Sequence, residues 1–492
     1  VRELTERLGA EAPVRAVRAA LAVQEEAADD LRAPEAWIVG GTVRDAALGR
    51  PLRDVDLAVD GDPEPIARAV ATHVRGAVFA LSESFGAWRA LDRRTGWVCD
   101  VSRLRGGSIE GDLAERDFSV NAVAVPLAGG RPVDPQGGLS DLEAGVLRVL
   151  GGPALERSAY AADPLRPLRL ARLATELPLA PDAETERLTR EAAPGVVEAS
   201  PERVFAELRR ILVAERVTEG LGLADRLGLL GAVLPEVEAL RSVEQSHFHD
   251  LDVHGHTLEV VRRQVESEQR LEELFGDDRA PGLRQVLAEP LGDELTRGQA
   301  LRFGALLHDI GKPATRGLRP DGRVTFLGHD RAGAEMTRAL GRRLRTSERL
   351  RSYLSALAEH HLVLGFMVHE RPLSRRAVFR YLRTCEPVEV EVTLLSCADR
   401  LATRGRRHER AIAAHLDLAR ELMAEALRWR AAGGAPRAPV RGDELAAELE
   451  IPRGPELGRL LAELEEARFA GEATDRASAL DLARRLRHNQ QR

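Results

Sequence analysis

From Arg2 to Leu31 apolar residues recur three and four apart among charged ones, and the spacing predicts one charged amphipathic helix that ends before Pro34. The texture changes at Trp37. Short apolar runs at Trp37–Val39, Val55–Val59, Val78–Leu81, Trp97–Val101 and Val120–Val125 read as strands between Gly-rich turns, with one helical stretch over Pro65–His73. Strands interleaved with a helix predict an α/β unit. After Asp163 the strand signal nearly vanishes. Leu168, Leu170 and Leu173, then Val204, Leu208, Ile211 and Leu212, follow helical spacing, and Ser200-Pro201 is a helix start with Pro at the first helical position. Residues 246–425 are again helical, Ala431–Pro439 is the clearest linker, and a last helical module closes the chain. The expected division is an N-terminal helix at 1–33, an α/β head at 34–150, helical segments at 151–245 and 246–425, and a tail at 440–492.

Composition sharpens this picture. At 492 residues, several domains are expected; hydrophobic residues make up 44% and aromatics only 4%, which favours a mostly helical chain over a β-barrel. The formal net charge is -7, so any nucleic-acid surface must be a local patch. Cys99, Cys385 and Cys397 are far apart in sequence and form no CxxC pair, which predicts a reducing compartment. There is no membrane-length apolar run and no basic, apolar leader at the start, so a cytoplasmic protein without membrane partners is expected.

The head carries the first candidate chemistry. In Ile38–Val59, IVGGTVRDAALGRPLRDVDLAV, Gly40-Gly41 follow a strand and precede a helix, where glycine lets main chain approach a phosphate closely, and Arg44 follows them. Alternation along the next strand puts Asp54 and Asp56 on one face, with Val55 and Leu57 on the other. Two carboxylates so placed suit Mg²⁺ beside a triphosphate. Asp100, on the apolar run Trp97–Val101, is a candidate third carboxylate.

This segment resembles the signature of class II tRNA nucleotidyltransferases and bacterial poly(A) polymerases, whose catalytic head is polymerase-beta-like. Further motifs follow in order: Glu115-Arg116-Asp117-Phe118-Ser119-Val120-Asn121-Ala122, Ala162-Asp163-Pro164-Leu165-Arg166, and Ser200–Leu212. The resemblance implies transfer of C or A from CTP or ATP to a tRNA, or other RNA, 3′ end. It implies that Arg116, Asp117 and Asn121 position sugar and phosphates, that Asp163 and Arg166 read the base, and that Arg169 and Arg172 continue the base-reading helix. Glu115 stands where an Arg is usual and Ala162 where a Glu is usual. The stretch from Asp100 to Asp112 is short, and a short connection here is associated with partial, CC-type addition.

A second constellation lies in the helical half. Most of the 13 histidines fall between residues 247 and 369, around His256, His308-Asp309, His329 and His360-His361, with Asp399 beyond. Imidazoles and carboxylates on several helices can converge in a bundle core on a divalent metal. The order resembles the HD superfamily of metal-dependent phosphohydrolases. It implies a first metal on His256, His308, Asp309 and Asp399, a second on His329, His360 and His361, and Lys312 near a phosphate. The metals implied are Mg²⁺ in the head and Mn²⁺, Ni²⁺ or Mg²⁺ in the HD domain. Residues 265–300 read as an insertion; His247, His249 and His254 read as surface or supporting residues. The tail, with Gly442-Asp443 and Gly454-Pro455, reads as a small cap or a contact for the tRNA body. The alternatives are a poly(A) polymerase acting on other RNAs, an HD phosphohydrolase whose head mainly binds RNA, or a non-catalytic RNA-binding protein.

Overall fold

The computed structural model describes residues 2–27, 35–82, 86–151, 159–244, 251–403 and 408–490. It is mostly helical and falls into two compact units, Val1–Glu207 with Leu223–Ala232, and Leu208–Gly222 with Val233–Arg492. Among the described residues no helix is long and apolar enough to cross a membrane.

The first unit contains a six-stranded sheet built from β1 (Ala36–Val39), β2 (Asp54–Val59), β3 (Ala77–Ser82), β4 (Ala87–Leu91), β5 (Val98–Arg103) and β6 (Ala124–Pro126), in the order β3-β4-β5-β2-β1-β6. β2 and β5 pair in parallel, while β1 pairs antiparallel with β2 and β6. One face buries Val55, Leu57, Val59 and Val101 against Ile66 and Val70 of the helix Pro63–His73 and against Leu8, Val14 and Val17 near the start of the chain. On the other face Ala58 and Val39 pack with Ile109, Leu113 and Ala122. Two-residue alternation therefore leaves Asp54 and Asp56 on the side opposite the larger core.

Several sequence expectations need revision. The predicted single N-terminal helix is two, Arg2–Ala10 and Ala12–Ala27, with Pro13 in the first turn of the second; proline lacks the N–H that a continuous helix needs. Its expected end before Pro34 lies outside the described residues. β4, Ala-Trp-Arg-Ala-Leu, is absent from the predicted strands but is a strand paired on both sides. The run Val120–Val125 is a 3₁₀ turn, Ser119–Asn121, followed by β6. Asn121 bonds back to Asp117 and Ser119 reaches Asp141 on the helix Gly138–Ala144, and these side-chain bonds hold the turn.

In the second unit the helices Val253–Gln269, Arg297–Leu307, His329–Arg343, Glu348–His360 and Glu389–Ala402 form a bundle. The stretch read as an insertion buries Val265, Leu271, Phe275, Leu283 and Leu295, so it is part of this core. The tail helices Gly442–Glu448, Pro455–Ala470 and Arg476–Gln490 enclose a separate small core around Leu445, Leu464 and Ala483.

Candidate functional sites

In the head, Gly40 has φ +67°, and a Cβ there would lie 2.8 Å from Arg116 Nη1 and 3.3 Å from Asp56 Oδ2. The left-handed backbone conformation requires glycine. Thr42, which the sequence reading passed over, joins the turn to the carboxylate strand. Its hydroxyl accepts from the Asp56 N–H at 2.8 Å and donates to the Asp54 carbonyl at 3.3 Å. Parallel register sets Asp56 directly beside Asp100, and antiparallel register sets Asp100 beside Arg89. Arg89 grips Asp100 with two hydrogen bonds of 2.6 Å. Burial, then the charges of Asp100 and Asp54, outweigh the pull of Arg116 and Arg44 and push the Asp56 carboxyl up to about 6. A carboxyl raised in this way by burial and neighbouring carboxylates is relieved by a divalent cation.

Five further candidates meet in one hydrogen-bonded chain. Arg44 donates to Asn121 Oδ1 at 2.7 Å, Asn121 donates to Asp117 Oδ1 at 2.9 Å, and Arg169 donates to Asp117 Oδ2 at 3.0 Å. Arg169 and Arg172 then both bind Glu207. Burial opposes the charge of Asp117, but Arg169 and Asn121 hold its carboxyl below the usual range. Glu207 was not singled out in the sequence, because one Glu in SPERVFAELRRIL looks like any solvated helix position. Glu207→Ala takes one of two carboxylate partners from each arginine, leaving Arg169 with Asp117 and the 7%-exposed Arg172 with Glu176. It should cost about 2 kcal/mol, the loss of charge-assisted hydrogen bonds, read as a lowered midpoint in denaturant unfolding.

Arg116 donates twice to Asp112, a fully buried carboxylate that also faces Arg105. Arg166 is placed differently from the base-reading role implied for it. Its side chain is buried, donating to the carbonyls of Glu115 and Ala159 at 2.9 Å and of Arg116 at 3.3 Å. Asp163 instead accepts from Arg203 at 2.6 Å. Asp163, Arg166, Arg203, Arg105, Arg116 and exposed Glu115 line a cleft of about 1000 Å³.

In the second unit the histidine-aspartate set converges. His256, His308 and Asp399 form one group, and Asp309, His329 and His361 another, each with ligand atoms within 4.8 Å of one another. Asp309 faces both. Its Oδ2 lies 2.6 Å from Lys312 Nζ, 3.2 Å from His308 and 3.9 Å from His256; its Oδ1 lies 3.3 Å from His329 and 3.7 Å from His361. Asp309, assigned to the first metal by resemblance, thus sits between the two groups. His360 belongs to neither, while its neighbour His361 is buried and turned inward.

The donor set fits divalent cations. His308, His329 and His361 each direct Nδ1 to a backbone carbonyl, of Ala305, Phe326 and Ala358, at 2.7–2.8 Å. That bond fixes the tautomer with Nε2 free to ligate. The Nε2 atoms of His308 and His329 are buried without a hydrogen-bond partner. Burial works against the charge of Asp309, yet His308 and Lys312 hold its carboxyl well below the usual range. Lys312, which the resemblance puts near a phosphate, is the only lysine in the chain and is paired with Asp309. Gly311 is also required: a Cβ would fall 2.2 Å from the His329 carbonyl oxygen. His254 is buried with Nε2 3.3 Å from Arg241, and His247 and His249 lie outside the described residues.

The sheet with its paired aspartates and the helical histidine-aspartate core define a polymerase-head nucleotidyltransferase carrying an HD domain. Comparison with known proteins bears this out. The Poly A polymerase head domain matches residues 36–107 and 93–148, the "Probable RNA and SrmB- binding site of polymerase A" matches 179–240, and the HD domain matches 285–404. His256 lies outside that last match, and the fold brings it in. The A-adding tRNA nucleotidyltransferase of Deinococcus radiodurans is 34% identical over 445 residues, covering 89% of this chain and 92% of the relative. The CC-adding tRNA nucleotidyltransferase of Thermus thermophilus is 34% identical over 447 residues, covering 89% and 90%. The Thermotoga maritima CCA-adding enzyme complexed with tRNA-CCA shares the fold, with TM-score 0.59 at 19% identity, covering 92% of this chain and 90% of that one. A CCA-adding enzyme with CTP gives TM-score 0.63 at 19% identity, covering 98% and 96%. The chain belongs to the tRNA nucleotidyltransferase family.

Proposed function

We propose that the head transfers cytidylate from CTP to tRNA 3′ ends, adding CC but not the terminal A. The observation that carries the transfer reading is the strand register that sets Asp56 beside Asp100, two residues from Asp54, under the Gly40 turn. In this reading Asp54 and Asp56 hold Mg²⁺, and Arg89 steadies Asp100. Arg44 and Arg116, fixed by Asn121 and Asp112, face the triphosphate, and Asp117 fixes Asn121 and Arg169 in turn. The RNA 3′-hydroxyl attacks the α-phosphate and pyrophosphate leaves. Bound Mg²⁺ would supply charge stabilisation to the reacting phosphates. The buried, unpaired cysteines fit a cytoplasmic setting.

Restriction to CC is supported by the compact segment after β5. A turn there leads straight into the helix Ile109–Ala114, and the main chains of Gly106 and Gly111 meet so closely that a Cβ on Gly111 would lie 2.8 Å from the Gly106 oxygen. Little chain remains for a long switching loop. Transcripts of one tRNA ending at the discriminator base, at C and at CC, each given CTP, ATP or both, test this. Two cytidylates on the first and none on the third are expected. Addition of A to the CC end would overturn the CC assignment in favour of A addition, and long A tails on unrelated RNA would overturn the tRNA reading.

The HD domain is read as an active phosphohydrolase centre, on the strength of a single Asp309 shared by two ligand groups.

A further inference from the structure

We infer that Phe79, on the edge strand of the sheet, is an RNA-binding residue on which an unpaired base of the tRNA 3′ end stacks. This rests on the nucleotidyl-transfer reading of the head and adds to it a grip on the acceptor strand. Register pairs Phe79 with Arg89, Arg89 with Asp100 and Asp100 with Asp56, so the four positions form one row across β3, β4, β5 and β2. Paired residues share a face of a sheet, and the two Arg89–Asp100 bonds identify that face as the one carrying the carboxylates. The alternate positions agree: Val78 and Trp88 pack against the larger core on the opposite face. Strands lie about 4.8 Å apart, which puts the Phe79 position about 14 Å from that of Asp56. Phe79 is 45% exposed, and Leu81 on the same strand is 44% exposed. Among the described residues of the first unit Phe79 is the only exposed aromatic side chain. A lone exposed apolar residue needs no explanation. One that ends a row beginning at the carboxylates assigned to Mg²⁺ continues the reaction site.

The occupant follows from what must reach those carboxylates. The triphosphate is assigned to the Gly40 turn and Arg44, which follow β1, on one side of β2. Arg116, close to Gly40, belongs to that side too. The acceptor RNA therefore approaches from the other side, over β5, β4 and β3, with its 3′-hydroxyl at the carboxylates and the preceding nucleotide farther along the row. Arg89 is committed to Asp100, so the row offers that nucleotide a ring rather than a free cation. A phenyl ring binds no phosphate, but it stacks on a base, and because every base has a π-face the contact tolerates any sequence. Such a grip holds RNA ends of different sequence without interfering with the choice of incoming nucleotide.

The test uses the full chain and a tRNA transcript ending at the first C, with 2-aminopurine, a fluorescent base quenched by stacking, at the position just before it. With CTP withheld, the bound probe should be dimmer on wild type than in free RNA, and bright on Phe79→Ala. Addition of cytidylate to the unlabelled transcript should show the KM for tRNA raised about tenfold in Phe79→Ala, with the KM for CTP unchanged. Phe79→Trp should restore both the quench and the KM, and Tm should stay near the wild-type value in both variants because the side chain is exposed. A probe that wild type leaves as bright as free RNA would overturn the inference whatever the variants do. So would a Phe79→Ala protein with wild-type quench and tRNA KM, a rise confined to the KM for CTP, or a Phe79→Trp protein that behaves like Phe79→Ala. Wild type that quenches the probe through Phe79 yet never extends tRNA would overturn the transfer reading and leave the stacking assignment standing.

Discussion

Asp56→Asn is expected to lower nucleotide addition about a thousandfold or more, because a cation held on these carboxylates supplies several kcal/mol of transition-state stabilisation. The substitution keeps side-chain size and the backbone bond to Thr42, so the fold should survive and CTP should still bind the cleft. Single-turnover extension of tRNA, with CTP binding measured alongside, checks both. Retention of a tenth of wild-type rate would sink the metal-site assignment. The pH behaviour adds an independent reading. Asp56 sits at about 6 through burial first and then Asp100 and Asp54. Below that pH a proton occupies the carboxylate, so the Mg²⁺ needed for half-maximal rate should rise as pH falls. The same shift bears on stability with the opposite sense. A carboxyl raised in the folded state favours folding at low pH, and that contribution is lost as pH climbs from the ordinary carboxylate range through about 6. Mg²⁺ offsets the loss, so it should raise Tm more at pH 8 than at pH 5. Asp56→Asn should remove this pH dependence.

Much of this site was legible in the sequence because its parts are local. Gly40, Asp54 and Asp56 lie within one turn, one helix and one strand, and alternation decides which face the carboxylates take. What was not legible depends on partners distant in sequence. Arg89 belongs to a strand that no apolar run in the sequence marks, and only pairing with β5 makes it the holder of Asp100. Glu207 is one Glu among many until Arg169 and Arg172 close on it from another helix. Arg166 fits its motif by position, but its carbonyl partners, 7 to 51 residues away, could not be read from the motif. In the second unit the ligand types could be read from residue identity. Which of His360 and His361 turns inward could not, because that depends on the phase at which the helix Glu348–His360 ends.

Asp309→Asn is expected to abolish phosphoester hydrolysis by the HD core while leaving CTP addition to tRNA within about twofold, since the two ligand sets belong to different compact units and share no residue. The expectation follows from geometry. One oxygen of Asp309 lies towards His256, His308 and Lys312, and the other towards His329 and His361, so its carboxylate serves both ligand groups. Hydrolysis of a chromogenic phosphodiester with Mn²⁺, Ni²⁺ or Mg²⁺ reads the activity, and elemental analysis of the purified protein reads the bound metal. Two effects on stability accompany the loss. Metal binding to the wild type satisfies the buried Nε2 atoms of His308 and His329 and should raise Tm. The variant should lose that rise and melt lower without metal as well, because Lys312, only 11% exposed, is left facing an amide. Unaltered hydrolysis in Asp309→Asn would remove the HD core from the reaction, and a parallel fall in nucleotide addition would show that the two chemistries are not separable.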